Sequence, residues 1–178
     1  MNSFSSTYRN IQLDLKAHGG GSISKNFNIY LFNPSFRLLL NYRLGRYFRL
    51  SNNFVTRFLA RRYMYRQVTQ RGCQISYAAE LGKNIKFMHP LGVVIGENVI
   101  VKDNVRIWQQ VTLGSHGKKG ESNLYPVVES GVKIFAGAKI IGGIVIGRNA
   151  QIGANSVVLS DVPDDSVAVG VPAKIIRR

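Results

Sequence analysis

At 178 residues the chain can hold one sizeable core plus an appendage, and its formal charge of +15 is unevenly placed. Residues 1–74 carry twelve Lys and Arg against the single Asp14, a net of +11, while residues 75–178 carry twelve against eight, a net of +4. No run of about 18 apolar residues exists, which excludes a transmembrane helix, and the lone Cys73 excludes an intrachain disulfide. The first thirty residues lack a basic-then-apolar leader pattern, so the cytoplasm is the expected compartment.

Residues 1–33 are polar and broken by Gly19-Gly20-Gly21-Ser22, which predicts partial order and a short helix near Tyr8–Lys16. Asn33-Pro34 reads as a helix start, a side-chain cap followed by the residue tolerated at the first helical position. Phe36, Leu39, Leu40, Tyr47 and Phe48 then fall on one side, with Arg37, Arg43 and Arg46 mostly off it. Ser51-Asn52-Asn53 caps a second helix carrying Phe54, Val55, Phe58, Leu59 and Met64 among Arg57, Arg61, Arg62 and Arg66, ending near Gly72. Residues 1–73 therefore read as a basic helical region. Its apolar stripe is expected to pack on the C-terminal part of the chain and on subunit neighbours, with the arginines solvated. A second reading is peripheral contact with an anionic membrane at the inner face. Nucleic acid is disfavoured, because no recognised binding motif accompanies the charge.

From Ile75 a six-residue ladder begins. Large apolar residues stand at Ile75, Leu81, Phe87, Ile95, Val101, Ile107, Leu113, Val128, Ile134, Ile140, Ile146, Ile152 and Val158. The fourth residue after an anchor is also apolar or small, as at Val132, Ala138, Ile144, Ala150, Ser156 and Val162. A helix has no use for a strict six, whereas short strands that each contribute one deep anchor do. Hexapeptide periodicity predicts a parallel β-helix of about five coils over residues 74–178, making the chain mainly β. Gly82, Gly96, Gly114, Gly147 and Gly153 follow anchors, where a corner must bend without a Cβ clash. Pro163, in Asp161-Val162-Pro163-Asp164-Asp165, is expected to end the stack, and the tail Val167–Lys174 to fold back over it. Two interruptions break the ladder. Phe87 to Ile95 is eight residues instead of six, and Leu113 to Val128 is fifteen, which sends out a loop over 114–127. Insertions in a solenoid map to loops that carry function.

The ladder, the His89-centred insertion, the Val111-Thr-Leu-Gly114 corner and the closing Gly170-Val-Pro-Ala-Lys174 resemble the left-handed β-helix acyltransferases. The likeness covers residues 74–176 and points to serine acetyltransferases and to the O-acetyltransferases of bacterial exopolysaccharide and capsule synthesis. The Arg-rich hairpin looks like the polysaccharide branch. The resemblance implies the left hand, which crossover rules alone would not favour. It also implies a homotrimer using acetyl-CoA, without metal. His89 then falls at the general base, a role that suits a group titrating near neutral pH. Cys73, before the first coil, is not a credible nucleophile. Acetyl-CoA in this family lies in a groove between two subunits. The matching positions here are Ser115, Ala136 and Ala154, with Gln151 where a lysine is common and Lys118, Lys119 and Lys174 near the phosphates.

Three departures bear on mechanism and acceptor. An aspartate fifteen residues before the histidine orients the imidazole in serine acetyltransferases. Here that position is Gln74, which can accept from the ring but cannot neutralise its charge. Glu80 and Glu97 are the other carboxylates that could help in its place. Met88 replaces an acidic residue, and Leu124-Tyr125 replaces an Arg-His pair. That loss of charge favours a saccharide acceptor in polysaccharide biosynthesis, with Met88, Trp108 and Tyr125 on the acceptor side. Serine O-acetylation is the alternative, and a non-catalytic β-helix scaffold a further one. A metal hydratase of the γ-carbonic-anhydrase type needs three histidines at an interface. With only His18, His89 and His116 in the chain it is disfavoured.

Overall fold

A computed structural model describes residues 4–51, 53–117 and 124–176. Four helices come first: α1 (Phe4–Ala17), α2 (Ile23–Phe32), α3 (Pro34–Leu50) and α4 (Phe54–Arg71). Each start after α1 is capped by a side chain. Ser22 Oγ accepts from Lys25 N, Asn33 Oδ1 from Phe36 N, and Asn53 Oδ1 from Thr56 N. Gly72, at φ 57°, closes α4 in the left-handed conformation that a side chain would resist. Residues 4–32 are more ordered than their polarity suggested, and the helix at the start begins four residues earlier than expected. The reason is a small second core in which Ile11, Leu15 and Ile29 close on the fully buried Phe36.

The coils come next, three strands to a turn. Coil one is β1 (Gln74–Ile75), β2 (Glu80–Leu81) and β3 (Lys86–Phe87). Coil two is β4 (Val94–Ile95), β5 (Ile100–Val101) and β6 (Arg106–Ile107). Coil three is β7 (Thr112–Gly114), β8 (Val127–Val128) and β9 (Lys133–Ile134). Coil four is β10 (Lys139–Ile141), β11 (Val145–Ile146) and β12 (Gln151–Ile152). The fifth contains β13 (Val157–Val158) and β14 (Val167–Gly170), with β15 (Ala173–Ile176) returning antiparallel to β14. Strands stack as three parallel sheets: β1-β4-β7-β10-β13, β2-β5-β8-β11, and β3-β6-β9-β12-β14 with β15 at its edge. The fold is a left-handed parallel β-helix.

All thirteen anchors are the second residue of their strand and point inward, none more than 7% exposed. Each buried side chain of this size stabilises by roughly 1.5–3 kcal/mol relative to exposure. Pro163 does not end the stack. Val162 bridges to Ile146 and Ala168 pairs with Ile152, so the fifth coil closes with smaller fillers. The glycines after anchors matter because the next coil approaches closely. A Cβ on Gly82 would lie 2.4 Å from the Asp103 carboxylate, and one on Gly153 2.6 Å from Val169. Gly114 is the exception, with its nearest contact at 3.9 Å. The tight bends fall instead three residues after many anchors, at Asn84, Asn104, Gly131, Asn149 and Asp165, all with positive φ. Asparagine and aspartate tolerate that region, and their side chains pair between coils: Asn84 Nδ2 donates to Asn104 Oδ1 (2.7 Å) and Asn149 Nδ2 to Asp165 Oδ1 (3.1 Å).

The helices cover the open edge of coil one, where backbone groups have no coil beyond them. The Tyr42 hydroxyl donates to Ala79 O at 2.6 Å and accepts from Leu81 N at 3.2 Å. Arg43 donates to Leu81 O (2.7 Å) and Gly82 O (2.5 Å), and Arg46 to Tyr77 O and Ala79 O. Buried Gln67 of α4 accepts from Ile75 N and donates to Asn41 Oδ1. The expectation that the arginines are solvated therefore fails for these two on α3. Edge carbonyls need donors, and a guanidinium supplies several from one side chain. Gly45 lets Tyr77 press on α3, since a Cβ there would stand 2.0 Å from its ring.

Arg43 also meets Asp14 at 2.9 Å, both nearly buried. Burial raises the Asp14 carboxyl above its ordinary value, and the adjoining Arg43 only partly opposes this. The pair is thus a weak source of net stability but costly to break from one side. Arg43→Ala should destabilise by about 3–5 kcal/mol in urea unfolding, because it strands a carboxylate and two carbonyls together. Asp14→Asn, which keeps an acceptor for Arg43 Nε, should cost less than half as much.

Candidate functional site

His89 lies at the corner where coil one turns from the third sheet into the first. Two residues beyond the Phe87 anchor the chain takes φ 55° at His89, and its carbonyl accepts from Leu91 N (2.8 Å) to form a tight turn. A non-glycine residue in this region is uncommon and marks a position held by its surroundings. The turn is held on both sides. Gly92 N donates to Gly72 O, Gln110 N to Leu91 O, and the buried Cys73 thiol to Pro90 O at 3.3 Å. Burial pushes that thiol's pKa up, so Cys73 serves packing and is no nucleophile.

The imidazole is exposed and lines a cleft of about 290 Å³ with His18, Asn33, Pro34, Ser35, Lys86 and Met88. The helices furnish one wall of it. Phe87 N donates to Ser35 Oγ at 3.0 Å, and that oxygen lies 2.9 Å from His18 Nε2. His18 Nδ1 is 2.7 Å from Asp14 O, so it donates there and leaves Nε2 to accept from the serine hydroxyl. This chain of hydrogen bonds ties the strand leading into His89 to the helical region. His18 and Ser35 were missed in the sequence because they lie 71 and 54 residues before His89 and carry no local motif.

Gln74 stands on the first sheet beside the same corner, exposed, with its amide N donating to Val93 O. No hydrogen bond joins its side chain to His89 among the described residues. Glu80 cannot replace it, since it faces Arg46 at 3.7 Å on another sheet. Glu97 follows β4 and is exposed past the next corner.

Four successive coils put Met88, Trp108, Phe135 and Gly153 at one corner, then His89, Gln109, Ala136 and Ala154 one residue further on. Trp108 leans on Phe135 with ring centroids 4.7 Å apart. Gln109 Oε1 is buried with no hydrogen-bond partner among the described residues. The outer face of the third sheet carries Lys86, Arg106, Lys133 and Gln151 in register, with Lys174 on β15 at its far edge. Like charges on neighbouring strands repel, so this row favours an anion alongside.

Ser115 and Tyr125 belong elsewhere. Both stand where the first sheet turns into the second, at the base of the loop over 114–127, and within one chain they do not join Ala136 and Ala154. Tyr125 is half-buried on the core, and a Cβ on Gly96 would lie 2.5 Å from its ring. Leu124 packs over Gly143 and the His116 ring over Gly142. The residues read as an uncharged acceptor wall thus fill space left by glycines. Lys118 and Lys119 lie outside the described residues. Among the described residues no three His, Cys, Asp or Glu side chains gather to hold a metal, and no helix is long and apolar enough to cross a membrane.

Residues 125–160 match the family of bacterial transferase hexapeptide proteins (six repeats). Serine acetyltransferase of Buchnera aphidicola subsp. Schizaphis graminum is 39% identical over 149 residues, 83% of this chain and 56% of that protein. The chain spans about half or less of the length of the curated relatives it matches. Among solved structures, soybean serine acetyltransferase apoenzyme aligns over 97% of this chain and 69% of its own, at 35% identity and TM-score 0.84. Brucella abortus serine acetyltransferase in complex with coenzyme A aligns over 98% of this chain and 69% of its own, at 32% identity and TM-score 0.84.

Removing the Ser35 hydroxyl tests the link from the helices to the corner. Ser35→Ala should lower stability by about 1 kcal/mol. Hydrogen exchange should show the Phe87 amide opening faster, with the amides of coils three and four unchanged.

Proposed function

The chain belongs to the left-handed β-helix, hexapeptide-repeat acyltransferases of serine acetyltransferase type, and from that premise we propose that it transfers an acetyl group from acetyl-CoA to the hydroxyl of L-serine. One observation carries the reading: the likeness to serine acetyltransferases runs through the helices as well as the coils, over 97% of the chain, while His89 stands exposed in the cleft between them. That extent corrects the expectation of a saccharide acceptor and of a polysaccharide-type hairpin. The expectation rested on missing charge at Met88 and at Leu124-Tyr125, and the latter two side chains pack on Gly143 and Gly96. The cleft sets Lys86, Asn33, Ser35 and His18 among the apolar walls of Pro34, Met88 and Pro90. A serine carboxylate suits Lys86.

In this reading His89 takes the proton from the serine hydroxyl as its oxygen attacks the thioester carbonyl. The C–S bond then breaks, and the proton passes to the departing thiolate. The thioester is already activated, so no covalent enzyme intermediate is needed. Acetyl-CoA fits the corner below His89. Ala136 and Ala154 leave room for its arm, and the Lys133, Arg106 and Lys174 cations suit its phosphates. Gln151, where a lysine is usual, contributes polarity without charge. Ser115, on the other corner, reaches such a groove only from a second subunit, which supports a homotrimer with sites at its three interfaces.

Thiol release from acetyl-CoA should require L-serine, and His89→Ala should lower kcat about 10²–10⁴-fold. Gln74→Asp should raise kcat, since a carboxylate beside the corner would neutralise the imidazolium that forms. A chain that releases no more thiol with serine than without it, wild type and His89→Ala alike, would leave the fold without the activity.

A further inference from the structure

The hairpin tip at the junction of α3 and α4 has a surface of a different kind. Phe54 is 85% exposed, and Leu50, Val55 and Phe58 stand more than half out of the protein. Beside them a cavity of about 370 Å³ is lined by Arg49, Arg57, Arg61, Ala60, Met64 and Tyr77. Arg49 and Arg61 thus share one opening, and among the described residues no carboxylate stands on its walls. Nor does the surrounding chain supply one: residues 15–79 contain eleven Lys and Arg and no Asp or Glu. The two flanking acids are engaged elsewhere, Asp14 by Arg43 and Glu80 by Arg46.

We propose that this tip docks on an anionic phospholipid surface. A headgroup phosphate sits between Arg49 and Arg61, while Leu50, Phe54, Val55 and Phe58 enter the boundary below the headgroups. Basic residues interleaved with exposed aromatic and aliphatic ones are what such an interface selects. A second copy of the same face would bring two groups of arginines together without a counter-charge. A nucleic acid would use the charges but leave the apolar tip in water. The geometry suits function as well. The cleft of His89 lies at the opposite end of α3, and seventeen helical residues separate the two by about 25 Å, so docking leaves the site clear of the surface. This inference does not depend on the acceptor, because its test reads partition and not turnover.

The full chain would be sedimented with vesicles of phosphatidylcholine alone and of equimolar phosphatidylcholine and phosphatidylglycerol, with inorganic phosphate as competitor. Binding should appear on the anionic vesicles only and weaken with salt. Arg49→Gln with Arg61→Gln should weaken it about 25-fold, at about fivefold per basic residue. Phe54→Ser with Phe58→Ser should weaken it at least tenfold. Should the double variant not fold, Arg61→Gln alone should show about fivefold. Equal sedimentation with both vesicles, anionic binding indifferent to these variants, or free phosphate competing at equal concentration would overturn the proposal. So would light scattering in which Phe54→Ser with Phe58→Ser reduces the assembly's mass, since a second copy would then be the tip's occupant.

Discussion

One deep side chain per strand, repeated every six residues, is the constraint on which the molecule rests. A triangular coil has room at its axis for one large group from each side, so each strand must deliver one and turn. Coils built this way stack with their backbones in register. Any residue at a given corner therefore has counterparts directly above and below it. That repetition turns isolated features into rows: the His89, Gln109, Ala136 and Ala154 corner, the Lys86, Arg106 and Lys133 face, the Asn84–Asn104 pairing. Rows of side chains along the outside of the coils are the direct consequence of a regular interior.

A stack must end somewhere, and its first edge is handled by α3 and α4. Tyr42, Arg43, Arg46 and Gln67 occupy donors and acceptors that another coil would otherwise take. The same packing extends to Ser35 and His18, which hold the Phe87 backbone two residues from His89. The basic helices therefore do two things. Their inner face caps the solenoid and braces the His89 corner, and the outer end of the hairpin leaves Phe54 and Phe58 exposed.

Much of the coil region was legible beforehand. Every anchor from Ile75 to Val158 is buried where the period puts it, because burial in a solenoid depends on sequence spacing alone. The exceptions share a cause. Pro163 reads as a terminator, but Val162 and Ala168 still reach the axis by a shorter path. Arg43 reads as solvated because helical periodicity sees only charge, whereas an open β edge needs a donor. Leu124 and Tyr125 read as an acceptor wall because the glycines they cover, Gly143 and Gly96, are 19 and 29 residues away in the chain.

What the sequence by itself determined is what repeats locally: the β-helix, its five coils, the two insertions and the histidine at the first of them. Only the tertiary structure decided which distant groups surround that histidine and which surfaces remain uncovered. Six-residue spacing is a short-range code that each strand reads for itself. The His18–Ser35–Phe87 chain, the orphan acceptor of Gln109 and the arginine-lined opening at the hairpin tip arise where helices and coils meet, and no spacing along the chain encodes that meeting.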